Sequence, residues 1–325
     1  MIESTTAEHQ APATTPAPLE RSQRVAVVGA GAIGAIVAEA AHLAGHDVTL
    51  CVRSPLPALT IERGDARRQL RLPTATTPDA VGAPVDYLLL ATKAQDTERA
   101  LSWIRRLAGP TTKVVALQNG VDHVQRITPL LARGTLVPAL VYIAAERVSR
   151  DHVTHRWGRK VVVPTGAEGT GLARLFSGST VDVVLDADFT TAAWRKLLTN
   201  LAANPLTALT MRRIGVLQNP DMRELARGML AEAVTVGRAE GASLASSDVD
   251  QTLDFFAAMH PHSGTSMLYD RLAGRSVEHD LITGAVVRAA ERHGIDVPLN
   301  RAVLALLRAL GNEGTIGVQS LAGVG

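Results

Sequence analysis

The sequence predicts an α/β protein in two parts: an N-terminal doubly wound sheet followed by an all-helical C-terminal domain. Three observations carry this. A glycine-rich turn separates a short apolar strand from a helix near the start. Strand and helix patterns then alternate through the first half. Near Asp186 the texture changes, and only helical patterns follow.

The first element is the run Val25-Ala26-Val27-Val28, a short buried strand, followed by Gly29-Ala30-Gly31-Ala32-Ile33-Gly34. This is G-x-G-x-x-G between strand and helix. Gly29 permits the turn, Gly31 lets the backbone approach a pyrophosphate, and Gly34 lets the helix pack on the strand. The helix N-terminus offers free N–H groups to the anion. A Rossmann-type nucleotide domain is therefore expected, with Gly29, Ala30, Gly31, Ala32, Ile33 and Gly34 against the cofactor. The helix Ile33–Leu43 ends at Gly45, and a second strand, His46–Val52, follows. Its tip reads Arg53-Ser54, with no acid to hold a ribose 2′-OH, while Arg53 can pair with a 2′-phosphate. The expectation is NADPH rather than NADH; a solvated loop arginine is the plainer alternative.

Asp86–Thr92 reads as a buried parallel strand ending in Lys93-Ala94-Gln95-Asp96, then a helix over Thr97–Leu107. Lys113–Leu117 is a further strand, ending in Gln118-Asn119-Gly120. Thr135–Ala144 and Lys160–Val163 are strands, with a turn or hairpin over Asp151–Gly158. Arg53, Lys93 and Asn119 each stand just past a strand end, where open α/β sheets bind ligands, and are expected to face one crevice. Beyond the boundary at 185/186, helices are predicted over Phe189–Asn204, Asp221–Glu240, Ser247–Met259, Val277–His293 and Asn300–Leu310.

Composition narrows the function. The chain has 325 residues, enough for two cores, and a net charge of only +2 with 3% aromatic residues, which gives nucleic-acid binding no support. The single cysteine, Cys51, cannot form an intrachain disulfide, in keeping with a reducing, cytoplasmic setting. No apolar run reaches the roughly 18 residues of a membrane span. Residues 1–22, rich in Ala, Thr and Pro, read as a disordered tail without a secretory signal, and Gly311–Gly325 as loose. No Cys/His set has metal-ligand spacing, so no metal is expected.

Two polar groups stand out in the helical part. Lys196, Asn200 and Asn204 recur every fourth residue, which places them on one side of a helix among Leu197, Leu198, Leu201, Ala202 and Ala203. The row reads equally as a ligand-facing set or as a solvated stripe with Asn204-Pro205 ending the helix. The second is His262-Ser263-Gly264-Thr265-Ser266, a hydroxyl-rich loop entering a helix. It could bind a carboxylate, although capping is the better reading of the loop alone. Glu278 lies beyond it, in Gly274-Arg275-Ser276-Val277-Glu278, where it could be no more than a first-turn acid.

Taken together these segments resemble the ketopantoate reductase (2-dehydropantoate 2-reductase) family over Arg24 to about Leu310. The resemblance rests on the glycine loop, Arg53, Thr92-Lys93-Ala94, Leu117-Gln118-Asn119-Gly120, Trp194-Arg195-Lys196-Leu197 with Asn200 and Asn204-Pro205-Leu206-Thr207-Ala208, and Thr265-Ser266-Met267-Leu268-Tyr269-Asp270 with Gly274-Arg275 and Glu278. It implies NADPH-dependent reduction of a 2-keto acid to a 2-hydroxy acid. It further implies Lys196 as proton donor, Asn200, Asn204 and Ser266 as substrate ligands, and Asn119, Lys93 and Arg53 on the cofactor side. Asn119 and Glu278 would serve both ligands. A homodimer through the helical domain is the partner the chain would take. Met211-Arg212-Arg213-Ile214-Gly215-Val216 departs from members that carry an asparagine there, which bears on the native substrate. Three alternatives are a reductase of another 2-keto acid, the wider 3-hydroxyacid and 6-phosphogluconate dehydrogenase group, and a non-catalytic NADP(H)-sensing protein. Ser266 and Glu278 argue against the second, the intact polar set against the third.

Overall fold

The computed structural model describes residues 17, 19, 21–82, 84–93 and 97–310; most of the 1–22 tail, Ala94-Gln95-Asp96 and Gly311–Gly325 lie outside the described residues. The chain divides into two units, one of Met1–Thr92, Asp96–Gln118 and Arg126–Ala187, and a second of Lys93–Gln95, Asn119–Gln125 and Asp188–Gly325.

The first unit holds two sheets. Strands β1 (Arg24–Val28), β2 (Asp47–Cys51), β5 (Thr74–Ala75), β6 (Tyr87–Leu90), β7 (Lys113–Ala116) and β8 (Thr135–Pro138) form the first, in the order β5-β2-β1-β6-β7-β8. Every pairing in it is parallel. Taken in chain order these strands run 3-2-1-4-5-6, the doubly wound arrangement, whose switch point falls beside β1. Its two faces have separate cores. Val25 and Val27 pack with helix α1 (Ala32–Leu43), while Ala26 and Val28 pack with Ala100, Ile104 and Leu107 of α2 (Thr97–Leu107). A short helix, α3 (His123–Ile127), lies in the chain between β7 and β8.

The second sheet was not legible as such. It joins β3 (Leu59–Arg63), β4 (Ala66–Leu70), β9 (Leu140–Arg147), β10 (His152–Pro164) and β11 (Asp182–Asp186), with helix α4 (Ala167–Leu175) between its last two strands. This sheet departs from the sequence expectation at two segments. The strand expected over Thr135–Ala144 is two strands in different sheets, broken at Ala139. The turn expected over Asp151–Gly158 is the first half of β10, whose pairing with β9 shifts register on both sides of Trp157. Gly158 there serves a bulge: its φ is +81° and a Cβ would lie 2.3 Å from the Tyr142 carbonyl oxygen.

Helix α1 packs against strands of both sheets, so its residues 34–41 are all buried. They include Glu39, fully buried, which pairs with Arg63 of β3 (Nη1 at 3.0 Å) and Arg68 of β4 (Nε at 3.3 Å). A charge so deep is tolerated because two guanidiniums meet it.

The second unit is helical: α5 (Phe189–Thr210), α6 (Pro220–Ala239), α7 (Ser247–Ala258), α8 (Ser266–Leu272), α9 (Thr283–His293) and α10 (Pro298–Ala309). Asp188 caps α5 by accepting from the Thr191 N–H at 3.2 Å. Trp194, Leu197, Leu198 and Leu201 of α5 form the centre of the core with Met229 and Leu230 of α6, Val286 of α9 and Leu304 of α10. Helix α5 does not end at Asn204, as expected, but runs on through Pro205 to Thr210. Helix α9 starts at Thr283 rather than Val277, because a 3-10 turn over His279–Leu281 precedes it.

Candidate active site

Two anchors set the rotation of α5. Trp194, 2% exposed, packs where α6 has Gly237, whose absent Cβ would come within 3.0 Å of the indole. Arg195 donates from Nε to Asp248 of α7 at 2.9 Å. Lys196 is the next residue, and its side chain takes a third direction. Its Nζ donates to Asn119 Oδ1 at 3.4 Å, and Asn119 Nδ2 donates to Glu278 Oε2 at 3.0 Å. Lysine, amide and carboxylate thus form one chain. Burial lowers the Lys196 pKa from 10.5 to about 8, opposed by the negative charge of Glu278. The residue keeps some accessible surface, but its ammonium is surrounded densely enough for desolvation to dominate. Glu278 is accordingly no first-turn acid of α9: its carboxylate accepts from Asn119.

Asn200 and Asn204 follow Lys196 on α5. Asn204 is buried and Asn200 partly so, yet neither side chain hydrogen-bonds to the protein among the described residues. Pro205 removes one helix N–H, a cost of about 3 kcal/mol in an ordinary helix interior. Its neighbours here restore order. Thr207 Oγ1 donates to the Ala203 carbonyl at 2.8 Å and lies 2.7 Å from Thr265 Oγ1. Since the Thr207 proton goes to that carbonyl, Thr265 donates to Thr207 while accepting from the Leu268 N–H at 3.2 Å as cap of α8. The capping reading of this loop therefore holds for Thr265. Ser266, the residue after it, is exposed with no side-chain partner among the described residues. Arg271 of α8 donates to the Ala208 and Leu209 carbonyls at the end of α5, where a cation meets the negative end of the helix dipole.

Lys93 pairs with Asp270 of α8 and donates to the Ser276 carbonyl at 3.3 Å. Asp270 also accepts from Arg275 Nε at 3.0 Å. Thr207, Thr265 and Asp270 stand in the segments that carry the family resemblance, but the sequence assigns none of them a ligand role. Asp270 meets Lys93 across 177 residues, which no local spacing reveals. Ile214, in the departing segment, is 3% exposed and its side chain belongs to the core; its backbone N–H donates to the Ser263 carbonyl at 2.9 Å.

In the sheet unit the glycine loop fits a dinucleotide. A Cβ on Gly34 would lie 1.8 Å from the Gly29 carbonyl oxygen, and Gly29 has φ of +98°. A Cβ on Gly31 would meet nothing within 4 Å, and Gly31 gives α1 no side-chain cap. The helix N-terminus is thus open to an anion. Arg53 follows β2, exposed and with no protein partner among the described residues. Burial pushes the Cys51 thiol up to about 12, so it supplies no thiolate. Among the described residues no cluster of His, Cys, Asp and Glu is arranged to hold a metal, and no helix is long and apolar enough to cross a membrane.

A doubly wound sheet with an open glycine loop, together with a helical unit carrying a lysine of lowered pKa, is the build of a nucleotide-dependent oxidoreductase. Comparison with known proteins agrees. Residues 25–168 match the family described as Ketopantoate reductase PanE/ApbA, and residues 188–311 match Ketopantoate reductase PanE/ApbA C terminal. The 2-dehydropantoate 2-reductase of Caulobacter vibrioides is 38% identical over 286 residues, 88% of this chain and 98% of that protein. That of Mycobacterium tuberculosis is 39% identical, covering 88% and 97%. A solved PanE/ApbA family ketopantoate reductase from Ralstonia eutropha superimposes with a TM-score of 0.81 at 30% identity, over 88% of this chain and 98% of that one. The chain belongs to the ketopantoate reductase family and is an oxidoreductase.

Proposed function

We propose that the chain reduces 2-dehydropantoate to pantoate with NADPH, and that Lys196 is the acid of the reaction. The observation that carries this is the Lys196 ammonium, held at 3.4 Å from Asn119 with its pKa lowered to about 8. Reduction of a ketone leaves an alkoxide that must be neutralised as it forms. An ammonium on the carbonyl oxygen polarises it and then gives up a proton, and a pKa near ambient pH suits that task. Bound NADPH supplies the hydride. Gly29–Gly34 would hold its pyrophosphate and Arg53 its 2′-phosphate, with Lys93 on the same ligand.

Glu278 and Asn119 keep the acid charged and aimed. Asn200, Asn204 and Ser266 have polar atoms that no protein group occupies among the described residues, as substrate ligands require. The carboxylate would fall to Ser266 and the distal hydroxyl to Asn200 or Asn204. The chain would act in the cytoplasm, consistent with its lone buried cysteine. A homodimer through the helical unit belongs to the same reading; the Staphylococcus aureus ketopantoate reductase, 27% identical with a TM-score of 0.80 over 88% of this chain and 98% of that one, is dimeric.

The test is NADPH oxidation against a panel of 2-keto acids. Ketopantoate is expected to exceed 2-ketoisovalerate, which lacks the hydroxymethyl group, by orders of magnitude in kcat/KM. Similar rates would assign the chain another 2-keto acid, and no turnover on any would overturn the enzymatic reading of this site.

A further inference from the structure

Asn119 bridges the Lys196 ammonium and the Glu278 carboxylate, and it comes from a loop, not from a helix of its own unit. Something must hold that loop. Asn119 is followed by Gly120, with φ of +111°; a Cβ there would sit 3.2 Å from Asp122 Oδ1 and 3.4 Å from the Leu281 carbonyl oxygen. The loop therefore lies directly on the 3-10 turn that follows Glu278. Two residues further, Asp122 is 8% exposed and accepts from Arg288 Nη2 of α9 at 2.7 Å. The same nitrogen donates to the Asp280 carbonyl at 2.8 Å. The Asp280 carboxylate in turn accepts from Arg308 Nη2 of α10 at 2.9 Å. One guanidinium thus joins the loop that carries Asn119 to the turn that follows Glu278, from a helix packed into the core of the unit.

We propose that Arg288 is a positioning residue for the reduction: through Asp122 and the Asp280 carbonyl it fixes Asn119 and Glu278 in contact beside the Lys196 ammonium. The inference rests on the reading of Lys196 as the acid. Arg288 donates to the Asp122 carboxylate and the Asp280 carbonyl, so its effect passes through the two segments it joins. Arginine suits the task because its planar, always-charged fork holds a charged and a neutral acceptor in fixed directions. Lysine, a point charge on a flexible stem, is a poor substitute.

A double-mutant cycle tests this. Arg288→Met is expected to lower kcat for ketopantoate by about 10-fold. In an Asn119→Ala background the same substitution should lower kcat by less than about 2-fold, because the Asn119–Glu278 contact that Arg288 holds is already gone. Asp122→Ala should reproduce the loss, and Asp122→Asn, which keeps an oxygen acceptor for Arg288, should recover most of it. Additive losses in the cycle would overturn the proposal, as would an Arg288→Met enzyme with unchanged kcat. A readout free of activity accompanies it: amide hydrogen exchange at Asn119–Asp122 should quicken in Arg288→Met, while exchange in the α5 core around Leu198 and Leu201 does not. Unchanged exchange in the loop would likewise overturn it. Should the unmutated protein fail to reduce ketopantoate, the functional reading falls, and the exchange result still decides whether Arg288 holds the loop.

Discussion

Replacing Glu278 by Gln should move the alkaline limb of the reaction to lower pH. Lys196 must be protonated to act as the acid, so kcat/KM for reduction is full below its pKa and falls as pH rises past it. That pKa is about 8, lowered by burial and held up in part by Glu278. Asn119 bridges the two charges, at 3.4 Å from the ammonium and 3.0 Å from the carboxylate. Charges spanned by a single amide lie within roughly 9 Å; at an effective dielectric constant of about 20 they attract by about 2 kcal/mol, a little over one pH unit. Glutamine preserves the oxygen that Asn119 donates to and removes only the charge. The limb is therefore expected to shift from about pH 8 to about pH 7, with a roughly tenfold loss of kcat/KM at the more alkaline end and little change near pH 6. Initial rates of NADPH oxidation at saturating NADPH and subsaturating ketopantoate, measured across that range, give the profile of the enzyme form that meets ketopantoate. A limb that stays put would refute the coupling between Glu278 and Lys196. A wild-type profile with no limb near pH 8 would remove Lys196 as the titrating group.

Further outcomes follow from the same geometry. Lys196→Ala should cut kcat by the roughly 10²–10⁴-fold typical of a lost general acid while NADPH binding by fluorescence titration persists; near-normal turnover would move the proton donor elsewhere. Because the folded pKa of Lys196 lies below its ordinary 10.5, its charge destabilises the fold below about pH 8, and this cost fades as pH rises toward 10.5. Lys196→Met should therefore raise stability at pH 7 by up to about 3 kcal/mol in urea titrations, with the gain vanishing near pH 10.5. Arg53→Ala should weaken NADPH binding by about 10- to 100-fold and leave NADH nearly unaffected; equal losses would refute the 2′-phosphate reading. Gly34→Ala places a methyl group 1.8 Å from the Gly29 carbonyl, so the loop must open and NADPH binding should be lost.

The parallel sheet and the main helices were legible because their signals are local. The glycine loop has a fixed spacing, and the Lys196-Asn200-Asn204 row has a helical one. The second sheet was hidden for equally local reasons. Strand β4 reads Ala-Arg-Arg-Gln-Leu and exposes all but its last residue, so it shows no alternation of apolar and polar residues. Gly158 resembles a turn residue but makes a bulge inside a strand. Pro205 resembles a helix end, but the Thr207 and Thr265 hydroxyls and the Arg271 guanidinium order the turns after it. At the site, Lys196, Asn119 and Glu278 could be named individually from the sequence. Their union, and the Asp122–Arg288 pair 166 residues apart, depends on pairings that no periodicity encodes.

The amide of Asn119 also has a polarity that chemistry alone dictates. An ammonium can only donate and a carboxylate can only accept, so Oδ1 must face Lys196 and Nδ2 must face Glu278. The side chain is therefore a one-way connector, neutral itself but unable to turn around while both neighbours are charged. Aspartate at this position would keep the shape and lose the direction. It would set two carboxylates against each other, and the contact that holds the Asn119 loop to Glu278 would turn from an attraction into a repulsion.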